Sequence, residues 1–239
     1  MEIINNTKST LHQTFRIKDL GKLKYFLGFE ISRTKKGIHM CQRKYALDIL
    51  NETGMTNSKP CQTPLMSDTK PLFAINNTSY NVDSYRRFIG KLLYLTNSRP
   101  DINYYVHLLS QFVQAPTAYH HQAAQHILRY IKADPGRGLF FPKDTNLQIK
   151  GFSDFDWATC PETRHSITGY CVFLGESLIS WKSKKQSIVS RSSSESEYRA
   201  LVTTSCEIQW ISYILHDLYI QLDPPPVLYC DNQAARHIA

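Results

Sequence analysis

Asp231 closes the short apolar run Val227-Leu-Tyr-Cys-Asp231, which reads as a buried strand. An ionised carboxylate there is costly unless it is paired or bound to a cation, so the fold must bring compensating chemistry to that strand's end. Two more acidic residues occupy comparable places. The alternation of Leu147-Gln-Ile-Lys-Gly-Phe-Ser-Asp154 predicts a strand over 147–154 with the Asp154 carboxylate at its end. Glu197 opens a helix that Ser192 or Ser194 can cap, with Glu195 or Glu197 completing a capping box. Leu201, Ile208, Ile211, Leu215 and Leu218 follow at helical spacing.

Each of the three has a structural reading when taken singly. Capping and the helix dipole favour an acid at Glu197, Asp231-Asn232 is also a turn signal, and Ser153-Asp154 precedes a loop. Taken together they form a set of hard oxygen ligands of the type Mg²⁺ or Mn²⁺ prefers. A pair of such ions can hold a phosphodiester and activate the attacking water.

The rest of the chain narrows the class. Hydrophobic residues make up 42% of the 239 and aromatics 12%, enough to build one large or two modest cores and to argue against disorder. No run approaches the roughly 18 apolar residues of a membrane span, and Met1-Glu-Ile-Ile-Asn-Asn6 is not a signal peptide, so an intracellular, cytoplasmic and unsecreted protein is expected. Six cysteines without Cys-x-x-Cys spacing read as buried free thiols rather than a zinc site. Charge is uneven: residues 1–150 carry 21 Lys and Arg against 10 Asp and Glu, and residues 151–239 carry 7 against 10. A basic platform gripping a phosphate backbone beside an acidic, metal-loaded site fits that division, as does a merely soluble basic surface.

Tyr25 to Ile31 alternates as a strand that Lys35-Lys36-Gly37 turns back into Ile38–Met40, and a helix is predicted over 43–53, ending at Gly54. Residues 55–83 read as an extended connector. Three helices are then predicted, carried by Tyr85 to Leu93 after a cap at Asp83 or Ser84, by Ile102 to Val113 between Pro100 and Pro116, and by Ala124 to Ile131. Arg86, Arg87, Lys91, Arg99 and Arg129 interleave with tyrosines and are candidates for contact with nucleic-acid phosphates, a solvated helix face being the alternative. His120, His121 and His126 are not spaced to share a helical face and read as surface or packing residues. Ser183-Lys184 lacks the geometry of a Ser–Lys nucleophile pair and reads as loop chemistry. Strands over 147–154, 167–174 and 178–183, a helix to about 218 and a strand over 227–231 predict an α/β layer.

These segments resemble a known family. Gly151-Phe-Ser-Asp154-Phe-Asp-Trp157, Arg164-His-Ser-Ile-Thr-Gly-Tyr-Cys-Val-Phe-Leu174, Ile179-Ser-Trp-Lys-Ser-Lys-Lys-Gln186, Ser190-Arg-Ser-Ser-Ser-Glu-Ser-Glu197-Tyr-Arg-Ala200 and Leu228-Tyr-Cys-Asp231-Asn-Gln-Ala-Ala235 are similar to successive motifs of the ribonuclease H domain in copia-type (Ty1/copia) retrotransposon Pol polyproteins. Phe15 to Ile31, Gln42 to Leu50, Tyr85 to Leu95, Arg99 to Ile102, His126 to Ile131 and Gly136 to Leu139 resemble the distal part of that family's reverse transcriptase, so the likeness covers nearly the whole chain.

The resemblance implies an α/β (α+β) chain in three parts. Residues 1–83 would be a reverse-transcriptase palm remnant with hairpin, helix and connector, 84–146 a helical thumb- or connection-like segment, and 147–239 a C-terminally truncated ribonuclease H-like mixed sheet with its helix. It implies hydrolysis of the RNA strand of an RNA–DNA hybrid, with Asp154, Glu197 and Asp231 holding two Mg²⁺ or Mn²⁺ ions and with Asp156 and Glu195 as second choices. The expected partners are the hybrid or another nucleic-acid duplex and the remainder of the Pol polyprotein, within retroelement particles, with no membrane partner. The family's Tyr-x-Asp-Asp polymerase motif is absent, because the 239 residues contain no Asp-Asp pair, and no polymerase activity is expected. The family continues past Ala235 to a fourth carboxylate, so the ribonuclease site is expected to be incomplete here. The alternatives are a non-catalytic nucleic-acid-binding remnant of a decayed element and an inert relic.

Overall fold

The computed structural model describes residues 2–66, 70–73, 78–160 and 163–232. An unanticipated helix, α1 (Glu2–Phe15), opens the chain. It leads into β1 (Tyr25–Phe26), β2 (Phe29–Arg33) and β3 (Gly37–Cys41), then α2 (Arg43–Glu52). The single strand predicted over 25–31 is in fact two, because Leu27 and Gly28 both take positive φ and pair Phe26 with Phe29 across a two-residue turn. Tyr94 Oη donates to the Leu27 carbonyl and holds that turn against the helices.

Past α2, Gly54 takes the left-handed conformation that ends the helix, as predicted. The connector contains 3-10 turns at Met55–Asn57 and Lys70–Phe73. Then come α3 (Val82–Leu95), a 3-10 turn at Pro100–Ile102, α4 (Asn103–Ser110) and α5 (Ala118–Ala133). Asn81, not Asp83 or Ser84, caps α3 by accepting from the Ser84 N–H at 2.8 Å. One apolar cluster runs from Ala46 through Tyr85, Ile89, Leu92, Ile102 and Val106 to Ile127 and Ile131, so the amphipathic faces read from the sequence are core faces. The next strand, β4 (Leu139–Pro142), pairs antiparallel with β3 and completes the sheet β1-β2-β3-β4.

The second sheet contains β5 (Ile149–Asp156), β6 (Ile167–Leu174), β7 (Ser177–Lys185) and β8 (Val227–Tyr229), with α6 (Ser193–Asp217) between β7 and β8 in sequence. Its order is β7-β6-β5-β8, antiparallel except for the parallel β5–β8 pair. Parallel pairing requires a crossover, and α6 supplies it by lying across one face. Ile149, Tyr170 and Val172 from the strands meet Ile208, Ile211 and Leu215 from the helix. The chain is therefore a mixed α/β (α+β) protein with helices and two sheets.

Helix α6 comes so close to β5 that a Cβ on Gly151 would stand 2.6 Å from Ile208 Cδ1 and 3.2 Å from Leu228 Cδ1. Gly151→Val is expected to cost about 1–3 kcal/mol by overpacking. Gly151→Ala should cost less, because the Ile208 methyl can rotate away. Chemical denaturation of both variants checks the order.

Candidate active site

Helix α6 begins at Ser192, whose Oγ accepts from the Glu195 N–H at 3.1 Å. Glu195 accepts from the Arg191 N–H and pairs with Arg199 at 2.8 Å, and these contacts hold its carboxyl below the usual range. It therefore works at the helix start rather than in the carboxylate cluster. Two residues on, Glu197 faces inward and is fully buried.

The Glu197 Oε1 atom accepts from the Cys230 thiol at 3.0 Å, while Oε2 has no hydrogen-bond partner. Burial pushes this carboxyl above its ordinary range; the Cys230 contact lowers it, and Asp231 and then Asp154 raise it again. Ligand-capable atoms of Glu197, Cys230 and Asp231 all lie within 4.8 Å of one another. The parallel β5–β8 pairing brings this about, because it delivers Cys230 and Asp231, just past the end of β8, to the first turn of α6.

Two of the three predicted carboxylates are thus brought together, and the third stands off. Asp154 belongs to β5 and is exposed. It is near enough to push the Glu197 carboxyl upward but lies outside the three-residue cluster, and its Oδ1 accepts from the Phe155 N–H. The strand also runs two residues further than predicted, so Asp156 rather than Asp154 is its last residue. Burial, with Asp154 beside it, raises the Asp156 carboxyl. Cys230, half-buried rather than buried, joins the cluster in a way strand patterning does not reveal; its place immediately before Asp231 is the available sequence signal.

The donor set suits a hard divalent cation at Glu197 and Asp231, where the orphaned buried Oε2 offers an unused acceptor. Burial and the two carboxylates push the Cys230 thiol upward, which keeps it a hydrogen-bond donor.

The predicted basic residues divide differently. Arg99 is a correction: its guanidinium is buried, grips Asp101 through Nε at 2.9 Å and Nη2 at 2.8 Å, and donates to the Asp134 carbonyl. It is a core strut, and its donors are committed there. Lys91 pairs with Glu52, Arg86 donates to Gln114 and the Val113 carbonyl, and Arg129 donates to the Lys59 carbonyl. Arg87 is exposed on α3. Of the histidines, buried His120 accepts from the Thr117 N–H at Nδ1, meets the Leu72 carbonyl at Nε2 and stacks on Phe112, while His121 stacks on Tyr80. Both are packing groups.

The described residues form a helical unit with a small antiparallel sheet, followed by the mixed β7-β6-β5-β8 sheet crossed by one helix. A family profile described as "Reverse transcriptase (RNA-dependent DNA polymerase)" matches residues 1–67. The chain is 44% identical over 236 residues to "Retrovirus-related Pol polyprotein from transposon RE1" of Arabidopsis thaliana, which covers 99% of this chain and 16% of that protein. It is 33% identical over 242 residues to "Retrovirus-related Pol polyprotein from transposon TNT 1-94" of Nicotiana tabacum, covering 98% of this chain and 18% of that protein. It is also 42% identical over 211 residues to "Uncharacterized mitochondrial protein AtMg00810" of Arabidopsis thaliana, covering 88% of this chain and 87% of that one. The chain belongs to the copia-type retrotransposon Pol family. It spans less than a fifth of the length of the Pol polyproteins it matches. No solved structure matches it. Among the described residues, no helix is long and apolar enough to cross a membrane.

Proposed function

We propose that the second half of this chain is a divalent-metal-dependent nuclease layer of ribonuclease H type, acting on the RNA strand of an RNA–DNA hybrid as part of a Pol polyprotein. The observation that carries the reading is Glu197: a fully buried carboxylate beside Asp231, with one oxygen unpartnered. A fold does not place an uncompensated acid in its interior without cost, and a cation removes that cost. Glu197 and Asp231 would hold Mg²⁺ or Mn²⁺, with Asp154 reaching in from the adjoining strand. When bound, the ions supply Lewis acidity and a water nucleophile at neutral pH. The residues themselves set the position of the reacting phosphodiester at the end of β5 and β8, and the burial of Glu197 keeps bulk water from competing for its oxygens.

Incubation with a labelled hybrid tests this. Cleavage of the RNA strand that requires Mg²⁺ or Mn²⁺ and disappears in Asp231→Asn is the expected result. Metal-independent cleavage, or equal cleavage by Asp231→Asn, would overturn it. The position of Asp154 outside the cluster favours a second reading, in which the chain binds nucleic acid without cutting it. Hybrid binding without cleavage at any metal concentration is the outcome that selects this second reading.

A further inference from the structure

Residues 151–239 contain seven Lys and Arg, and four of them line one cavity of about 260 Å³. Lys182, Lys184 and Lys185 come from the end of β7, and Arg199 comes from α6. Thr168, Tyr170 and Thr203 add hydroxyls to its walls. Such convergence in the half that carries excess acid is not what an evenly solvated surface would show.

Two of the four cations are already engaged. Arg199 pairs with Glu195, and the Lys185 ammonium donates to the Cys160 thiol at 3.0 Å. Glu207, further along α6, is also engaged, accepting from Ser180 at 2.7 Å. Among the described residues neither Lys182 nor Lys184 has a carboxylate in salt-bridge reach, so the groove retains two uncompensated ammonium groups.

Register fixes where the groove lies. Asp154 pairs with Gly169, which pairs with Ser183, and Lys182 and Lys184 flank Ser183 on the strand. Lys182 and Lys184 therefore stand two strands from Asp154, about 10 Å across the sheet, with their side chains beside Tyr170 and Thr168 on the face that α6 covers, opposite to the Asp154 side chain. The groove also adjoins the same end of α6 that carries Glu197.

We propose that this groove between β7 and α6 binds the phosphodiester backbone of the nucleic-acid strand presented to the carboxylate cluster. The proposal rests on the preceding reading of a nucleic-acid substrate. Ammonium groups and hydroxyls supply charge and donors without reading bases, so binding is insensitive to sequence.

The test is fluorescence anisotropy with a labelled RNA–DNA hybrid and a labelled single strand, in EDTA so that the metal cluster contributes nothing. Lys182→Glu with Lys184→Glu is expected to weaken binding at least tenfold, and the log–log salt slope should fall by roughly 0.7–0.9 per lysine removed. Thr203→Glu, an exposed helix position on the opposite wall, should weaken it in the same direction, and circular dichroism confirms that each variant is folded. Failure of equimolar inorganic pyrophosphate to displace either strand supports a backbone site over a small-anion site. Displacement of the strand by equimolar pyrophosphate would overturn it. Unchanged affinity in the folded double variant would overturn the groove while leaving the nuclease reading intact. Absence of any binding by the parent chain would overturn both.

Discussion

Asp101→Ala is expected to lower stability by about 3–5 kcal/mol, because it leaves the Arg99 guanidinium buried without its counter-charge. Arg99 is 1% exposed, and both its Nε and Nη2 donate to Asp101. Tyr130 Oη adds a third donor to the same carboxylate at 2.9 Å, and its ring lies under the Arg99 guanidinium, 5.5 Å away. The pair ties the turn before α4 to the end of α5, through Asp134, and so locks the helical core on which the second sheet rests. Burial pushes the Asp101 carboxyl upward, but the hydrogen bonds and charge of Arg99, with Tyr130, outweigh it and leave the net shift downward. A carboxyl depressed in the folded state stabilises above its unfolded value of about 3.9 and loses that contribution as pH falls through the lower folded value. Urea denaturation at pH 7 should show the full loss in Asp101→Ala, and the gap between variant and parent should narrow below about pH 4. Equal midpoints at pH 7 would mean that the pair contributes nothing net. Replacing Arg99 and Asp101 together by apolar residues should restore part of the loss, since the cost lies in the unpaired charge.

Arg99 also marks where sequence reading stopped. Its neighbours Pro100 and Asp101 signal a turn, and its charge signals a surface, but only the fold reveals that α5 closes over it. The reading succeeded where local rules decide the outcome. Periodicity predicted β6 at 167–174 and the helix to about 218, because alternation and 3.6-residue spacing follow directly from which face is buried. It failed where a distant partner decides. Strand β4 has four residues and exists because β3 is there to pair with it, and the Leu27-Gly28 turn needs Tyr94 from a helix far along the chain. Of the site, Glu197 and Asp231 were legible as acids at element ends. That Cys230 would meet Glu197 depends on the parallel β5–β8 register, which no local pattern encodes.

Glu197→Gln should separate the two jobs assigned to this carboxylate. In the absence of metal, the amide is the better occupant: it removes a buried charge facing Asp231 and Asp154, and its N–H groups can donate to those acids. The variant should therefore be at least as stable as the parent in EDTA. With Mg²⁺ or Mn²⁺ the order reverses. A ligand that binds the folded state alone adds about 2.7 kcal/mol at a hundredfold excess over its dissociation constant, and only the parent should gain it in thermal unfolding. Cleavage of a labelled hybrid by the variant should fall by orders of magnitude, while hybrid affinity in EDTA stays that of the parent, because the groove lysines are untouched. A structural role for Glu197 predicts the opposite pattern, with Glu197→Gln destabilised in EDTA and no metal-dependent gain in either protein. Should the variant gain as much stability from Mg²⁺ as its parent, the cation is held elsewhere and the buried acid is not its ligand.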